Sequence, residues 1–145
     1  MLPRADKAYC EANMSNELIL IIEDNESYLT ILSQKLTLEE FEVITAQDGV
    51  EGLKKAIDNQ PNVIIVDLLL PKMNGIQIME EVRKSEWGKN VPLIILTNVS
   101  PDDEILQTIM KNKPTYYLVK PEVTLSEIVE KVRNALQDTE NASIK

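Results

Sequence analysis

Glu23-Asp24, Asp67, Thr97 and Lys120 are the residues whose types and placement could do chemistry together, and each marks the end of a short apolar run. Leu18-Ile19-Leu20-Ile21-Ile22 runs into the acidic pair, and Val63-Ile64-Ile65-Val66 runs into Asp67. Leu93-Ile94-Ile95-Leu96 runs into Thr97, and Tyr116-Tyr117-Leu118-Val119 into Lys120-Pro121. If the four runs are parallel strands of one sheet, their C-terminal ends share the edge at which open α/β sheets bind ligands. Three carboxylates, a hydroxyl and one ammonium would then meet in an acidic pocket. Hard oxygens hold divalent cations, and an ammonium pairs with phosphate, so this inventory suits a metal-assisted phosphoryl acceptor.

Each residue alone has an ordinary structural reading. Asp67 could cap a loop turn, Thr97 could be a β-branched strand residue, and Lys120 a solvated lysine at a strand end. Glu23-Asp24 could simply open a helix, where carboxylates favour the dipole. The argument for chemistry is the joint pattern. Rival phosphate sites are disfavoured by what is missing. There is no Gly-x-x-x-x-Gly-Lys-Ser/Thr loop. No Gly-x-Gly-x-x-Gly follows the first apolar run, and the chain has only four glycines. A haloacid-dehalogenase-type phosphatase would want a second aspartate where Leu69 stands.

The elements that would position these residues alternate along the chain, apolar runs with helical patterns, as in a parallel α/β sheet. The central runs are nearly all apolar, which fits strands covered on both faces. Phe41-Glu42-Val43-Ile44-Thr45 is mixed and reads as an edge strand, the fifth. Asp48-Gly49-Val50-Glu51, Asn74-Gly75-Ile76-Gln77 and Thr124-Leu125-Ser126-Glu127 each set a capping side chain three residues before Glu or Gln. Ser100-Pro101-Asp102-Asp103 reads as a capping serine, a proline at the first helical position and carboxylates in the first turn. Leu29, Leu32 and Leu36 share one face of the first helix, and Leu125, Ile128, Val129, Val132 and Leu136 one face of the last.

A chain of 145 residues is one domain's worth, and 43% hydrophobic with 27% charged residues is ordinary for a globular fold. A net charge of −9 repels phosphate backbones and anionic lipid, which argues against nucleic-acid or membrane binding. Cys10 is the single cysteine, so no internal disulfide forms. The chain has no histidine, which excludes Ser-His-Asp catalysis, His-ligated zinc and a phosphohistidine carrier role. No apolar run reaches the roughly 18 residues a membrane span requires. A cytoplasmic location is the expectation.

The stretches Ile22-Glu23-Asp24-Asn25, Val66-Asp67-Leu68-Leu69-Leu70-Pro71-Lys72-Met73-Asn74-Gly75, Leu96-Thr97 and Tyr117-Leu118-Val119-Lys120-Pro121 resemble the receiver domain of two-component response regulators. The resemblance runs from about Glu17 to Leu136. It implies a flavodoxin-like (CheY-like), doubly wound sheet of five parallel strands, order 2-1-3-4-5, between layers of five helices. It implies that Asp67 accepts a phosphoryl group from a phosphohistidine on a sensor histidine kinase or a histidine phosphotransfer protein. Glu23, Asp24, Asp67 and the Leu69 backbone carbonyl would hold Mg²⁺. Lys120 would pair with phosphoryl oxygens and Thr97 would hydrogen-bond one of them. Movement of Thr97 would be coupled to Tyr117, passing the signal to an output protein or domain from a monomer or a phosphorylation-dependent dimer. Such a protein promotes only its own phosphorylation and dephosphorylation and is not a turnover enzyme. The chain departs from the family pattern at Asn98, where a small residue is usual, and at Lys113-Pro114, which replaces Gly-Ala. Leu69 and Val99, at positions that tune phosphoryl lifetime, are both apolar.

The alternative is a pseudo-receiver, the same fold used as a constitutive protein-interaction module. Loss of the acceptor, the acidic pair or the lysine would favour it, and all are present. Residues 1–16 read as a flexible leader with a second possible start at Met14, 17–137 as the receiver domain, and 138–145 as a flexible tail or the start of a linker. No output domain is expected within the sequence.

Overall fold

The computed structural model describes residues 17–98 and 101–144. Five strands, β1 (Leu18–Ile22), β2 (Glu42–Ala46), β3 (Val63–Val66), β4 (Leu93–Thr97) and β5 (Tyr116–Val119), form one parallel sheet in the order β2-β1-β3-β4-β5. Five α-helices connect and follow them: α1 (Glu26–Leu38), α2 (Gly49–Asn59), α3 (Gly75–Lys84), α4 (Asp103–Lys111) and α5 (Leu125–Ile144). Two single 3₁₀ turns, Trp87–Lys89 and Lys120–Glu122, complete the connections.

Alternation along the strands divides the core in two, because successive side chains point to opposite faces of a sheet. Ile19, Ile21, Val63 and Ile65 pack with α1 and α5 on one face. Leu20, Ile22, Ile64 and Val66 pack with α2, α3 and α4 on the other. Both sets are buried, which is why β1 and β3 read as unbroken apolar runs. On α1 the buried residues are Leu29, Leu32 and Leu36, as the helical spacing predicts. Ile128, Val129 and Val132 of α5 are likewise buried.

The helix starts are largely those the capping residues mark. Asn74 and Gln77 form a complete capping box at α3, and Thr124 and Glu127 exchange the same pair of bonds at α5. At α2, Asp48 accepts from the Glu51 amide, but the Glu51 carboxylate reaches past it to the amide of Gln47. Three boundaries differ from the sequence reading. The edge strand begins at Glu42, leaving Phe41 outside it and buried against α1 and α5. Helix α4 is capped by Asp102, whose side chain accepts from the Ile105 amide, so Pro101 precedes the helix instead of opening it. Ser100 lies outside the described residues, as does the leader 1–16. The last helix runs to Ile144, so 138–144 continues α5 where a flexible tail or the start of a linker was expected. Extending a formed helix adds one hydrogen bond per residue fixed, without a new nucleation cost. Among the described residues, no helix is long and apolar enough to cross a membrane.

The winding of the sheet decides where the site lies. From β1 the chain moves outward to β2, then crosses back over β1 to β3 and continues outward the other way. The strands on either side of that reversal are β1 and β3, and open α/β folds have their crevice outside the C-terminal ends of such a pair. Ile22 pairs with Val66, and the Asp67 amide donates to the Ile22 carbonyl at 3.1 Å. Glu23 and Asp67 therefore leave the sheet side by side.

Candidate functional site: an acidic cleft at the strand ends

Three carboxylates converge at the crevice. Glu23, Asp24 and Asp67 each present an oxygen such that all three lie within 4.8 Å of one another. Glu23 and Asp67 are buried, whereas Asp24 is exposed at the mouth. The chain after β1 is fixed by Asn25, whose amide donates to Glu23 Oε2 at 2.9 Å while its side chain caps α1 through the Tyr28 amide at 3.0 Å. The chain after β3 is fixed by the Leu69 amide, which donates to Asp67 Oδ1 at 3.2 Å. Gly75 allows this loop to close. A β-carbon there would sit 2.4 Å from the Asp67 carbonyl oxygen and 2.9 Å from Leu68 Cα, so only glycine lets α3 pack onto the acceptor's backbone.

Lys120 enters from the far side of the sheet. It follows β5 directly, at the start of a 3₁₀ turn, and its ammonium donates to Asp67 Oδ2 at 3.0 Å and to Glu23 Oε1. All three side chains are under a tenth exposed. Burial pushes the Glu23 carboxyl up, and the bonds from Lys120 and the Asn25 amide offset this only in part. Burial would pull the Lys120 ammonium down, but its bonds to Glu23 and Asp67 outweigh that and hold it above the ordinary lysine value. One buried cation thus serves two buried carboxylates, with a third acid beside them. The excess negative charge and the all-oxygen donor set suit a hard divalent cation.

Thr97 ends β4, between β3 and β5, and is fully buried. Its hydroxyl has no hydrogen-bond partner. Leaving a buried hydroxyl unpaired costs about 1–3 kcal/mol, so an orphan at this edge calls for an explanation in function. Tyr117 is half-buried on β5. Burial first, and then the charge of Asp67, raise its phenol above the ordinary tyrosine value. Glu23, Asp24 and Asp67 are thus clustered, Lys120 is bonded to the first and last of them, and Thr97 and Tyr117 lie on β4 and β5.

A model of the response regulator receiver domain matches residues 19–133. The chain belongs to the response regulator receiver family. It is 33% identical over 129 residues to the alkaline phosphatase synthesis transcriptional regulatory protein PhoP of Bacillus subtilis, covering 88% of this chain and 52% of PhoP. It is 31% identical over 127 residues to hybrid signal transduction histidine kinase D of Dictyostelium discoideum, covering 87% of this chain and 8% of that kinase. The receiver therefore spans about half the length, or less, of these curated relatives. Among solved structures it is similar to a CheY-like response regulator receiver domain protein of Methanospirillum hungatei, with a TM-score of 0.82 at 27% identity over 88% of this chain and 99% of that one. The receiver fold and the acidic pocket of two-component signal transduction are both in place.

Two further residues join the site without having been assigned a role from the sequence, although Asn25 stands within the first matching stretch. Asn25 holds Glu23 and caps α1 at once. The Tyr28 ring lies 4.6 Å from the Lys120 ammonium, across 92 positions of sequence (120 minus 28). Asn25 carries a signal, a capping residue straight after the acidic pair. An aromatic in the first turn of a helix carries none, since most such residues simply pack.

Proposed function

We propose that this receiver is a phosphorylation-driven switch whose acceptor is Asp67. The observation that carries the reading is the Lys120 ammonium shared between buried Asp67 and buried Glu23, with Asp24 beside them. A carboxylate oxygen of Asp67 would form the O–P bond as the P–N bond of a partner's phosphohistidine breaks. The electron pair of that bond stays with the imidazole nitrogen, which takes up a proton. The donor is a sensor histidine kinase or a histidine phosphotransfer protein.

Glu23, Asp24, Asp67 and the Leu69 backbone carbonyl would hold Mg²⁺, whose charge lets an anionic phosphoryl group approach an anionic acceptor. Lys120 then exchanges a carboxylate for a phosphoryl oxygen, keeping a charge-assisted bond throughout. The Thr97 hydroxyl gains the partner it lacks by donating to another phosphoryl oxygen. Moving Thr97 frees space beside β5, and Tyr117 is the residue placed to take it. The new phosphoryl group adds about −1.5 to −2 charge, and a two-state element near Thr97 and Tyr117 carries the change to an output protein or domain. Such a chain promotes its own phosphorylation and dephosphorylation only and turns over no separate substrate.

The test is intact mass after incubation with acetyl phosphate and Mg²⁺. The parent should gain one phosphoryl group, and Asp67→Asn should gain none. Equal labelling of the variant places the acceptor elsewhere. The constitutive-module alternative has no observation in its favour, because no group required for phosphoryl transfer is missing.

A further inference from the structure

The geometry points to Tyr28 as a positioning residue that holds the Lys120 ammonium by its ring face while the carboxylates and the phosphoryl group exchange places. This rests on the phosphoryl-acceptor reading above. The ring centroid is 4.6 Å from Lys120 Nζ, inside the range at which a cation is drawn to the negative face of an aromatic ring. The attraction is strongest where water is excluded, and the Lys120 side chain is only 8% exposed.

The ring is held by the same short stretch that holds Glu23. Asn25 donates its amide to Glu23 and accepts from the amide of Tyr28, so the carboxylate and the ring are set against Lys120 by one capping residue. An ammonium has three donors and no acceptor. In the resting protein its partners are Glu23, Asp67 and the ring.

The reaction makes the ring's part distinct. Asp67 is consumed as acceptor, and Glu23 is claimed by the cation. Both carboxylates that anchor Lys120 at rest are thus engaged elsewhere when the phosphoryl group arrives. The ring is claimed by neither. Of the ammonium's three resting contacts it is the one for which neither the metal ion nor the phosphoryl group competes, and it helps to keep a flexible four-carbon side chain in the cleft while the charged partners change. An aliphatic residue at position 28 would fill the space but offer no quadrupole.

The experiment compares Tyr28→Leu and Tyr28→Phe with the parent, each checked for folding by its thermal midpoint. Uptake from acetyl phosphate at saturating Mg²⁺ should slow about tenfold in Tyr28→Leu, equivalent to ~1.4 kcal/mol. Mg²⁺ half-saturation should stay within about twofold, because a ring that binds a cation contributes no metal ligand. Tyr28→Phe, which keeps the ring, should recover most of the rate. An independent reading is the ring-current shift of the Lys120 methylene protons next to the ammonium in the metal-free protein. It should be present in the parent and in Tyr28→Phe and absent in Tyr28→Leu. Parent-like uptake by Tyr28→Leu overturns the inference, and so does equal slowing of both variants, which would assign the effect to the hydroxyl. If the parent takes up no phosphate, the acceptor reading fails, and the methylene shift alone then decides whether the ring holds Lys120.

Discussion

Lys120 and Asp67 are separated by 53 positions in the chain and by 3.0 Å between Nζ and Oδ2 in the fold. Their strands are not neighbours, since β4 lies between β3 and β5. The lysine therefore reaches past the end of β4, where Thr97 sits, and goes on to Glu23 beyond β1. One side chain ties together the C-terminal ends of three strands. It also occupies oxygen atoms that a metal ion would use.

That competition sets opposite expectations for two substitutions. Asp24→Ala removes one of three anionic donors and should weaken Mg²⁺ or Mn²⁺ binding by roughly tenfold or more. Lys120→Ala frees Glu23 and Asp67 and should leave metal affinity unchanged or raise it. In the metal-free protein the same change strands two buried carboxylates, a loss of up to about 3–5 kcal/mol. Mg²⁺ should restore much of that by binding only the folded state. Calorimetric titration and urea midpoints with and without Mg²⁺ check both parts. A titration in the reverse order would break the assignment of roles.

Gly75→Ala should destabilise the fold and disturb the site together. The added β-carbon would meet the Asp67 carbonyl oxygen at 2.4 Å, and that atom belongs to a backbone fixed in register with β1. Neither side can yield cheaply, so a cost of roughly 1–3 kcal/mol is expected, despite the better helix propensity of alanine. The measurement is the urea midpoint together with the rate of phosphoryl uptake. An unchanged midpoint would mean that α3 can lift away from Asp67 without loss.

The strand ends were legible because burial on both faces makes β1, β3 and β4 unbroken apolar runs, so the first polar residue after each marks the edge. The box at Asn74 was legible because its chemistry is local. What escaped was decided at longer range or lacked a pattern. Ser100 and Asp102 are both good caps by residue type, and the one that accepts from the helix, at the Ile105 amide, is Asp102. The end of α5 carries no apolar stripe, so periodicity could not follow it to Ile144. The meeting of Tyr28 with Lys120 depends on two elements that share no spacing rule. The same holds for Arg83, half-buried at the opposite edge of the sheet, whose guanidinium donates to the carbonyls of Gly88, Val91, Asn112 and Lys113.

The orphan hydroxyl of Thr97 predicts where the switch is felt. A phosphoryl mimic such as beryllofluoride should give that hydroxyl a partner and draw it from its resting place. The displacement passes to β5 through the register that pairs Thr97 with Val119. Amide chemical-shift changes should therefore cluster from Thr97 through Pro121. Changes confined to α1 and α2 would reject this route. Thr97→Ala should bind the mimic but shrink the response at Tyr117, because the hydroxyl that connects them is gone.

The lifetime of the phosphorylated state follows from what surrounds the leaving bond. Hydrolysis requires a water in line with the Asp67–phosphorus bond. Leu69, two positions beyond Asp67, is 61% exposed, so water reaches this side of the cleft but finds no side-chain atom there to orient it. Asn98 is exposed, and Val99, the other residue expected to flank the approach, lies outside the described residues. Self-dephosphorylation should accordingly be slow, suited to a signal held longer than rapid switching would need. Leu69→Asn places a donor and an acceptor where the apolar side chain stands and should speed the loss of phosphate by about tenfold, ~1.4 kcal/mol off the barrier. The decay of labelled protein after removal of the donor and addition of excess Mg²⁺ measures this directly. Slower decay in Leu69→Asn, or a parent that already decays as fast, would show that water placement at residue 69 does not limit the reaction.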